Sequence, residues 1–296
     1  MEKREPQVYI DGKFYSKSEA KISVYDHGLL YGDGVFEGIR AYNGSVFKLR
    51  EHIDRLYESA HTIMLRIDKS KEEIIKAVVD TLKKNNLRDS YIRLVVTRGC
   101  GDLGLDPRKC ARPTIIVITD TIRLHDGDQK EKGMTAIIAW VRRDAIDATS
   151  HEIKSLNYMN SVLAKIEANN AGADEAISLE RSGYVCEGVA ENIFIVHDGQ
   201  IFTPRSSTGA LPGITAQVVM RIGAKLGYAV NYRNISPHDL FRANEVFFTG
   251  TAAEIVSVRE INKRVIGGGK PGPVTKRLIE EYQKLVKDPK EGVPIK

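Results

Sequence analysis

The sequence predicts an α+β fold in two domains, from its length, its paired strand signals and its separate blocks of helical periodicity. At 296 residues the chain exceeds what one small core serves and suits two domains of roughly 130–160 residues. Asp-Gly or Asn-Gly stands between strand-like apolar runs three times, the signal of a two-residue hairpin. Apolar residues at three- and four-residue spacing mark helices elsewhere.

In chain order, Val8-Tyr9-Ile10 and Phe14-Tyr15 flank Asp11-Gly12 as a first hairpin, and residues 35–42 and 45–49 flank Asn43-Gly44 as a second. The cluster Gly32-Asp33-Gly34 with Gly38 is spaced GxGxxxG and leads into that hairpin. A dinucleotide loop, GxGxxG opening a helix, is therefore excluded. These glycines are expected to admit a close neighbour or to shape a bend. Residues 50–65 carry Ile53, Leu56, Ala60, Ile63 and Met64 as an amphipathic helix. Arg55 lies at the edge of that stripe, where an arginine either covers apolar surface with its stem or clamps a phosphate with its fork. Ser70 and Glu73 form a capping box ahead of a second helix, Ile74 to Leu82, ending at Asn85-Asn86.

Residues 90–97 alternate, with Ile92, Leu94 and Val96 on one face and Tyr91, Arg93, Val95 and Thr97 on the other. Tyr91 and Arg93 then either belong to a polar sheet face or aim together at a carboxylate. Residues 99–113 read as an Ω-type loop, and the apolar run 114–119 as a strand buried on both sides.

The polar stretch 120–133 is the expected boundary, leaving 1–119 as the smaller domain and 134–296 as the larger. A strand over 134–141 and an irregular segment deliver Lys154 to a helix entrance. Leu156, Met159, Leu163 and Ile166 predict that helix, and Asn169-Asn170-Ala171-Gly172 stops it. Two strands flank Ser182-Gly183, with Glu187 on the second. A third hairpin spans 192–203 around Asp198-Gly199. Ala210-Leu211-Pro212-Gly213 feeds a helix over 214–226, whose first-turn N–H groups either bind an anion or simply begin the helix. The strand 245–249 ends in Gly250-Thr251-Ala252-Ala253, a phosphate or carboxylate cradle or a plain turn. Gly267–Lys270 lacks both the strand-to-helix context and the Ser/Thr of a phosphate loop.

Charge and cysteines narrow the function class. The net charge is +5, but bases and acids interleave without a basic block, which argues for a solvated surface over a nucleic-acid footprint. Three cysteines (Cys100, Cys110, Cys186) make no CxxC pair, which argues against a disulfide framework and a zinc site; no metal is expected. With no signal-like start and no apolar run near the ~18 residues of a membrane span, a soluble, cytoplasmic protein is expected. What remains is small-molecule chemistry. A lysine that attacks carbonyls opposite an acid able to pair with a ring nitrogen (Glu187) is what pyridoxal phosphate chemistry requires, with Tyr158 one turn on toward the same cleft; the alternative is a solvated surface lysine.

Seven stretches carry a resemblance: YGDGVFEGIR (31–40), EHIDRL (51–56), SYIRL (90–94), EIKSLNY (152–158), GYVCEGVAENIF (183–194), ALPGIT (210–215) and TGTAAE (249–254). In this order they resemble the branched-chain amino acid aminotransferases, within the fold type IV pyridoxal phosphate enzymes. The likeness runs from YIDGKF near the start to GPVTKRL near the end. It implies a small N-terminal α/β domain and a larger C-terminal domain with a mixed, barrel-like sheet. It also implies a homodimer or higher oligomer with shared active sites.

Carried over residue by residue, the resemblance implies that Lys154 forms the internal aldimine, Tyr158 bonds the cofactor's 3-oxygen and Glu187 pairs with its pyridine nitrogen. Leu211 would pack on the ring, and Arg55, the Ile214 and Thr215 N–H groups and Thr251 would hold the phosphate. Tyr91 and the Thr251-Ala252 turn would meet the substrate α-carboxylate, and Arg93 the distal carboxylate of L-glutamate. Phe36, Tyr158 and Trp140 would line the apolar pocket, with Gly38 and Arg40 also in the substrate set. Tyr31 and the loop of Leu103 would come from the partner subunit. The implied reaction is ping-pong transamination between branched-chain L-amino acids and 2-oxoglutarate, giving branched-chain 2-oxo acids and L-glutamate.

The sequence departs from some animal members of that family in lacking their CxxC and in placing Ala190 where they carry a hydroxyl. The D-amino acid branch of the fold sets an arginine and a histidine two apart, whereas this chain has Tyr91-Ile92-Arg93. The lysine, glutamate and LPGIT features do not separate it from the aminodeoxychorismate lyase branch.

Overall fold

The computed structural model describes residues 5–121 and 131–295. It divides into two compact units, Met1–Ile122 with Ile153–Asn157 and Val286–Lys296, and Arg123–Glu152 with Tyr158–Leu285. This differs from the boundary read in the sequence, because two short segments from beyond residue 120 fold with the first unit. Most of the expected linker, 120–133, lies outside the described residues, although Asp120 still belongs to a strand.

The first unit contains a seven-stranded antiparallel sheet among the described residues. Its strands are β1 (Gln7–Ile10), β2 (Lys13–Ser16), β3 (Gly34–Tyr42), β4 (Ser45–Phe47), β5 (Ser90–Thr97), β6 (Thr114–Asp120) and, late in the chain, β16 (Gly292–Pro294). Both hairpins turn as the sequence predicts, with positive φ at Asp11 (47°), Gly12 (93°), Asn43 (50°) and Gly44 (82°). The short helix α1 (His27–Tyr31) precedes β3, and α2 (Leu49–Thr62) and α3 (Lys71–Lys84) cover one sheet face. The Ser70–Glu73 capping box opens α3. Ile53, Leu56, Ile74 and Leu82 from these helices are buried with Ile39, Ile92 and Leu94 from the sheet. Each such side chain contributes on the order of 2 kcal/mol. The strand 114–119 is covered on one face only, since Ile118 is 41% exposed. An antiparallel sheet can leave its second face uncovered, and this one covers β6 on the α3 side.

The second unit contains a nine-stranded mixed sheet among the described residues, ordered β12-β11-β10-β13-β14-β7-β8-β9, with β15 paired to β14. These are β7 (Met134–Ile138), β8 (Glu175–Leu179), β9 (Val185–Glu187), β10 (Asn192–His197), β11 (Gln200–Thr203), β12 (Val230–Tyr232), β13 (Glu245–Gly250), β14 (Glu254–Ile261) and β15 (Arg264–Val265). Parallel pairs β11/β12, β14/β7 and β7/β8 mix with antiparallel ones, and the sheet curls as a half-barrel. Its helices are α4 (Met159–Asn170), α5 (Ile214–Lys225), α6 (Pro237–Arg242) and α7 (Pro273–Leu285).

Helix α4 reverses the usual amphipathic order. It buries Ser161, Ala164 and Ala168, while Met159 (68%), Leu163 (44%) and Ile166 (47%), the residues whose spacing predicted it, are exposed. Small residues allow close approach to β8, so the apolar stripe faces outward. Lys154 is not at the entrance of α4, which begins five residues later.

Candidate active site

Within the first unit, Lys154 is fixed through its backbone. Only the last three residues of β3, Arg40–Tyr42, pair with β4, leaving the edge at Gly34–Phe36 open on that side. Segment 154–156 fills it. Phe36 N donates to Lys154 O at 3.0 Å, Leu156 N donates to Gly34 O at 3.0 Å, and Val35 and Ser155 form an antiparallel bridge. Lys154 N donates to Ser59 Oγ of α2 at 3.1 Å. Gly34 permits this closeness, because a Cβ there would lie 2.7 Å from Leu156 Cδ1. The Lys154 ammonium sits 4.5 Å from the centre of the Phe36 ring.

Phe36, Gly38 and Arg40 alternate along β3 and stand opposite Val95, Arg93 and Tyr91 of β5. The face that the sequence left open is therefore an aromatic floor bearing a guanidinium. Arg93 lies 4.6 Å above the Phe36 ring, and its Nη2 donates to Tyr91 Oη at 3.2 Å. Its Nε is buried with no hydrogen-bond partner among the described residues. Arg40 lies 4.8 Å above the Tyr42 ring. A Cβ at Gly38 would land on the Tyr91 hydroxyl. Gly38→Ala is therefore expected to push that phenol aside and break its bond with Arg93, which a structure of the variant checks.

Arg55 is turned toward a partner that the sequence reading missed. Its Nε and Nη2 each donate to Glu37 at 2.8 Å, and His52 Nδ1 lies 2.7 Å from the same carboxylate. Burial works to raise the Glu37 carboxyl, but Arg55 and then His52 override it and hold it at about 2. Burial lowers His52, and the Arg55 and Lys154 charges add to that. Glu37 was legible only as the inward residue between Phe36 and Gly38 on an alternating strand. Tyr31 and Leu103 are tied together by Tyr31 Oη donating to Leu103 O at 2.5 Å. Leu103 itself is 69% exposed.

Within the second unit, Glu187 ends β9 and is buried. Leu211 N donates to its Oε2 at 3.0 Å, and the Arg143 guanidinium, absent from the sequence reading, lies 3.3 Å from its Oε1. Leu211 O in turn accepts from Asn192 Nδ2 at 2.8 Å, so this residue is held at both backbone groups. Tyr158 caps α4, and its ring packs edge-on to His151 at 5.9 Å. Helix α5 begins at Gly213 without any side-chain cap, leaving the N–H groups of Ile214 and Thr215 in its first turn to point beyond the helix end. Thr251 and Ala252 lie in the turn between β13 and β14, and the adjacent Thr249 Oγ1 is buried with no hydrogen-bond partner among the described residues. Trp140 is 89% exposed. Burial pushes the Cys186 thiol well up, with the Glu187 charge adding to it, so this cysteine is no nucleophile. Burial and the neighbouring Glu175 likewise push Glu191 well above the usual carboxyl range.

These donors match one kind of ligand. An uncapped helix start and an orphaned hydroxyl suit a phosphate, and a buried, cation-paired carboxylate suits a basic ring nitrogen. Residues 34–261 match the family model of the amino-transferase class IV. The chain belongs to the class IV aminotransferases. It is 53% identical to a provisionally named branched-chain-amino-acid aminotransferase of Methanocaldococcus jannaschii, covering 94% of this chain and 96% of that one. The structure of the Escherichia coli branched-chain amino acid aminotransferase superposes with a TM-score of 0.93 at 35% identity, covering 96% of this chain and 95% of that chain. The T.th. branched-chain amino acid aminotransferase complexed with N-(5'-phosphopyridoxyl)-L-glutamate gives 0.90 at 38%, covering 97% and 96%. The fold is that of the fold type IV enzymes in this class. Among the described residues, no cluster of three or more potential ligands suits a metal, and no helix is long and apolar enough to cross a membrane.

Proposed function

We propose that the chain is a pyridoxal-phosphate-dependent transaminase exchanging amino groups between branched-chain L-amino acids (Leu, Ile, Val) and 2-oxoglutarate. The observation that carries the substrate reading is the Phe36 floor with Arg93 stacked on it. One surface that offers both an apolar ring and a guanidinium serves a branched side chain and a distal carboxylate in turn. Arg93 keeps the ring and Tyr91 as partners when leucine is bound, which avoids leaving a bare buried charge.

Pyridoxal phosphate, when bound, supplies a protonated ring that draws off the charge left at Cα when its proton departs. The chain's own residues do the rest. Lys154 Nζ would hold the cofactor at its aldehyde carbon and, as a free amine, would move the proton at Cα as base and then acid. Its pinned backbone limits where Nζ reaches, which is how a positioned group gains effective concentration. Glu187 keeps the proton on the ring nitrogen, and Tyr158 donates to the 3-oxygen. Leu211 packs on the ring, while the Ile214 and Thr215 N–H groups, Thr251 and Arg55 hold the phosphate. Tyr91 and the Thr251-Ala252 turn take the α-carboxylate. Gly38, Arg40 and Trp140 complete the substrate pocket.

The Tyr31–Leu103 pair serves the site of a second subunit in a dimer. The exposure of Val24 (70%), Leu29 (59%), Leu103 (69%) and Leu105 (76%) supports that reading. Because both half-reactions are reversible, the enzyme serves as the last step of branched-chain synthesis or the first of breakdown.

The test is turnover of the purified protein, loaded with cofactor, on L-leucine with 2-oxoglutarate, on D-alanine and on aminodeoxychorismate. L-leucine is expected to bleach the visible band of the resting enzyme and to turn over at ordinary transaminase rates. Activity confined to D-alanine or aminodeoxychorismate moves the chain to another branch of the class.

A further inference from the structure

Arg143, five residues beyond the end of β7, has a completely buried side chain. Its backbone N–H donates to Leu179 O at 2.9 Å, which seats it at the end of β8. Nη2 donates to Gly188 O at 2.7 Å and stands 3.3 Å from Glu187 Oε1. Nη1 donates to Ser161 Oγ at 3.0 Å and Asn160 Oδ1 at 3.1 Å, both in the first turn of α4. His151, 3.5 Å from Nη1, in turn packs against the Tyr158 ring. Burying a guanidinium costs several kcal/mol unless an anion compensates it, and the anion that Arg143 meets here is Glu187.

We propose that Arg143 is a positioning residue for transamination, aiming the Glu187 carboxylate and supplying the counter-charge that leaves the shared proton on a bound ring nitrogen. The proposal rests on the reading that Glu187 faces that nitrogen. The two oxygens of Glu187 are engaged by donors from separate segments, Oε1 by Arg143 and Oε2 by Leu211 N–H, so the carboxylate plane is fixed at both ends. A buried carboxylate stripped of its cation holds a proton more tightly. It then competes with the ring for the proton that makes the ring an electron sink. Through Asn160 and Ser161 the same guanidinium also ties Glu187 to the start of α4, where Tyr158 stands.

The test uses holoenzyme loaded with pyridoxal phosphate carrying 15N at the ring position, whose resonance reads protonation directly. It is paired with the dissociation constant of the cofactor measured by fluorescence on apoenzyme. Arg143→Met is expected to move the resonance toward the unprotonated position at neutral pH and to weaken binding about 10–100-fold, the range for losing a group that orients a ligand. Arg143→Lys is expected to return the nitrogen to the protonated position. Its affinity stays below wild type, because a point charge does not reproduce the fork to Gly188 and Glu187. A folded Arg143→Met with wild-type resonance and affinity overturns the proposal. If that variant does not fold, Arg143→Lys decides alone: a protonated nitrogen supports the proposal and an unprotonated one overturns it. A wild-type nitrogen unmoved by Glu187→Gln removes the reading of Glu187 itself, and this proposal with it.

Discussion

Lys154→Ala is expected to lose turnover by about 10⁴-fold or more, the upper end of what one positioned proton carrier supplies, while keeping its fold. The two halves of that expectation have separate causes. The loss follows because one amine is assigned both the resting attachment of the cofactor and the proton transfer at Cα, and no other group on the aromatic floor can replace it. Arg93 on the same ring carries a guanidinium, a group that does not act as a base in proteins. The fold survives because what anchors this segment is backbone. The Lys154 N–H and C=O bonds and the Leu156–Gly34 bond are untouched by truncation at Cβ. The loss in stability includes the cation–ring contact with Phe36, about 0.5–1 kcal/mol.

Lys154→Arg separates charge from chemistry. It keeps a cation above Phe36 but offers no nucleophilic amine, so it is expected to be as inactive as the alanine variant. Small primary amines added to Lys154→Ala should restore part of the rate. Retention of more than a tenth of wild-type turnover by either variant would falsify the assignment.

Local signals in the sequence were strong where backbone chemistry is local. Asp11-Gly12, Asn43-Gly44 and Asp198-Gly199 all turn with positive φ, because those pairs tolerate the left-handed region at low steric cost. A fourth tight turn, Asn262-Lys263 between β14 and β15, uses the same conformation with φ of 48° and 62°. It carried no readable signal because lysine has no intrinsic preference for that region. The strand 90–97 was legible to its ends through strict alternation.

Periodicity gave the existence of α4 but not its orientation. Spacing reports that one stripe is apolar and leaves open which stripe is buried, and here small residues pack inward. Motifs in the sequence single out Lys154 and Glu187 by residue type and spacing. The site was not legible where a residue acts through a partner. Arg143 lies in an irregular segment 44 positions from Glu187, and Glu37 looked like one more strand residue. Long-range ion pairs leave no periodic trace. Arg55 shows the same limit: its place beside the apolar stripe left open a covering stem or a phosphate clamp and gave no sign of its ion pair with Glu37.

Glu37→Gln is expected to destabilise the first unit by roughly 3 kcal/mol, the value of a carboxyl held at about 2 against an ordinary 4.5. That agrees with the ~3–5 kcal/mol usual for breaking a buried pair from one side. Removing the charge takes from the Arg55 guanidinium, only 9% exposed, the carboxylate that its Nε and Nη2 both meet. Urea titration should show a lower midpoint with an unchanged slope. Because the strain arises at that cation, Glu37→Gln combined with Arg55→Met should recover part of the loss. A double variant as unstable as the sum of its parts would show the two residues to be independent.

The pH dependence has a defined sign. Glu37 titrates lower in the fold than in the open chain, so its contribution is complete above pH 4.5 and is lost as pH falls toward about 2. His52 acts in the same direction. Burial lowers it, so the unfolded chain takes up a proton near pH 6.5 before the fold does, and stability begins to decline below that value. The stability of the wild type should therefore fall in two overlapping steps as the pH drops. In Glu37→Gln the step between 4.5 and 2 should flatten, because the group responsible for it is gone.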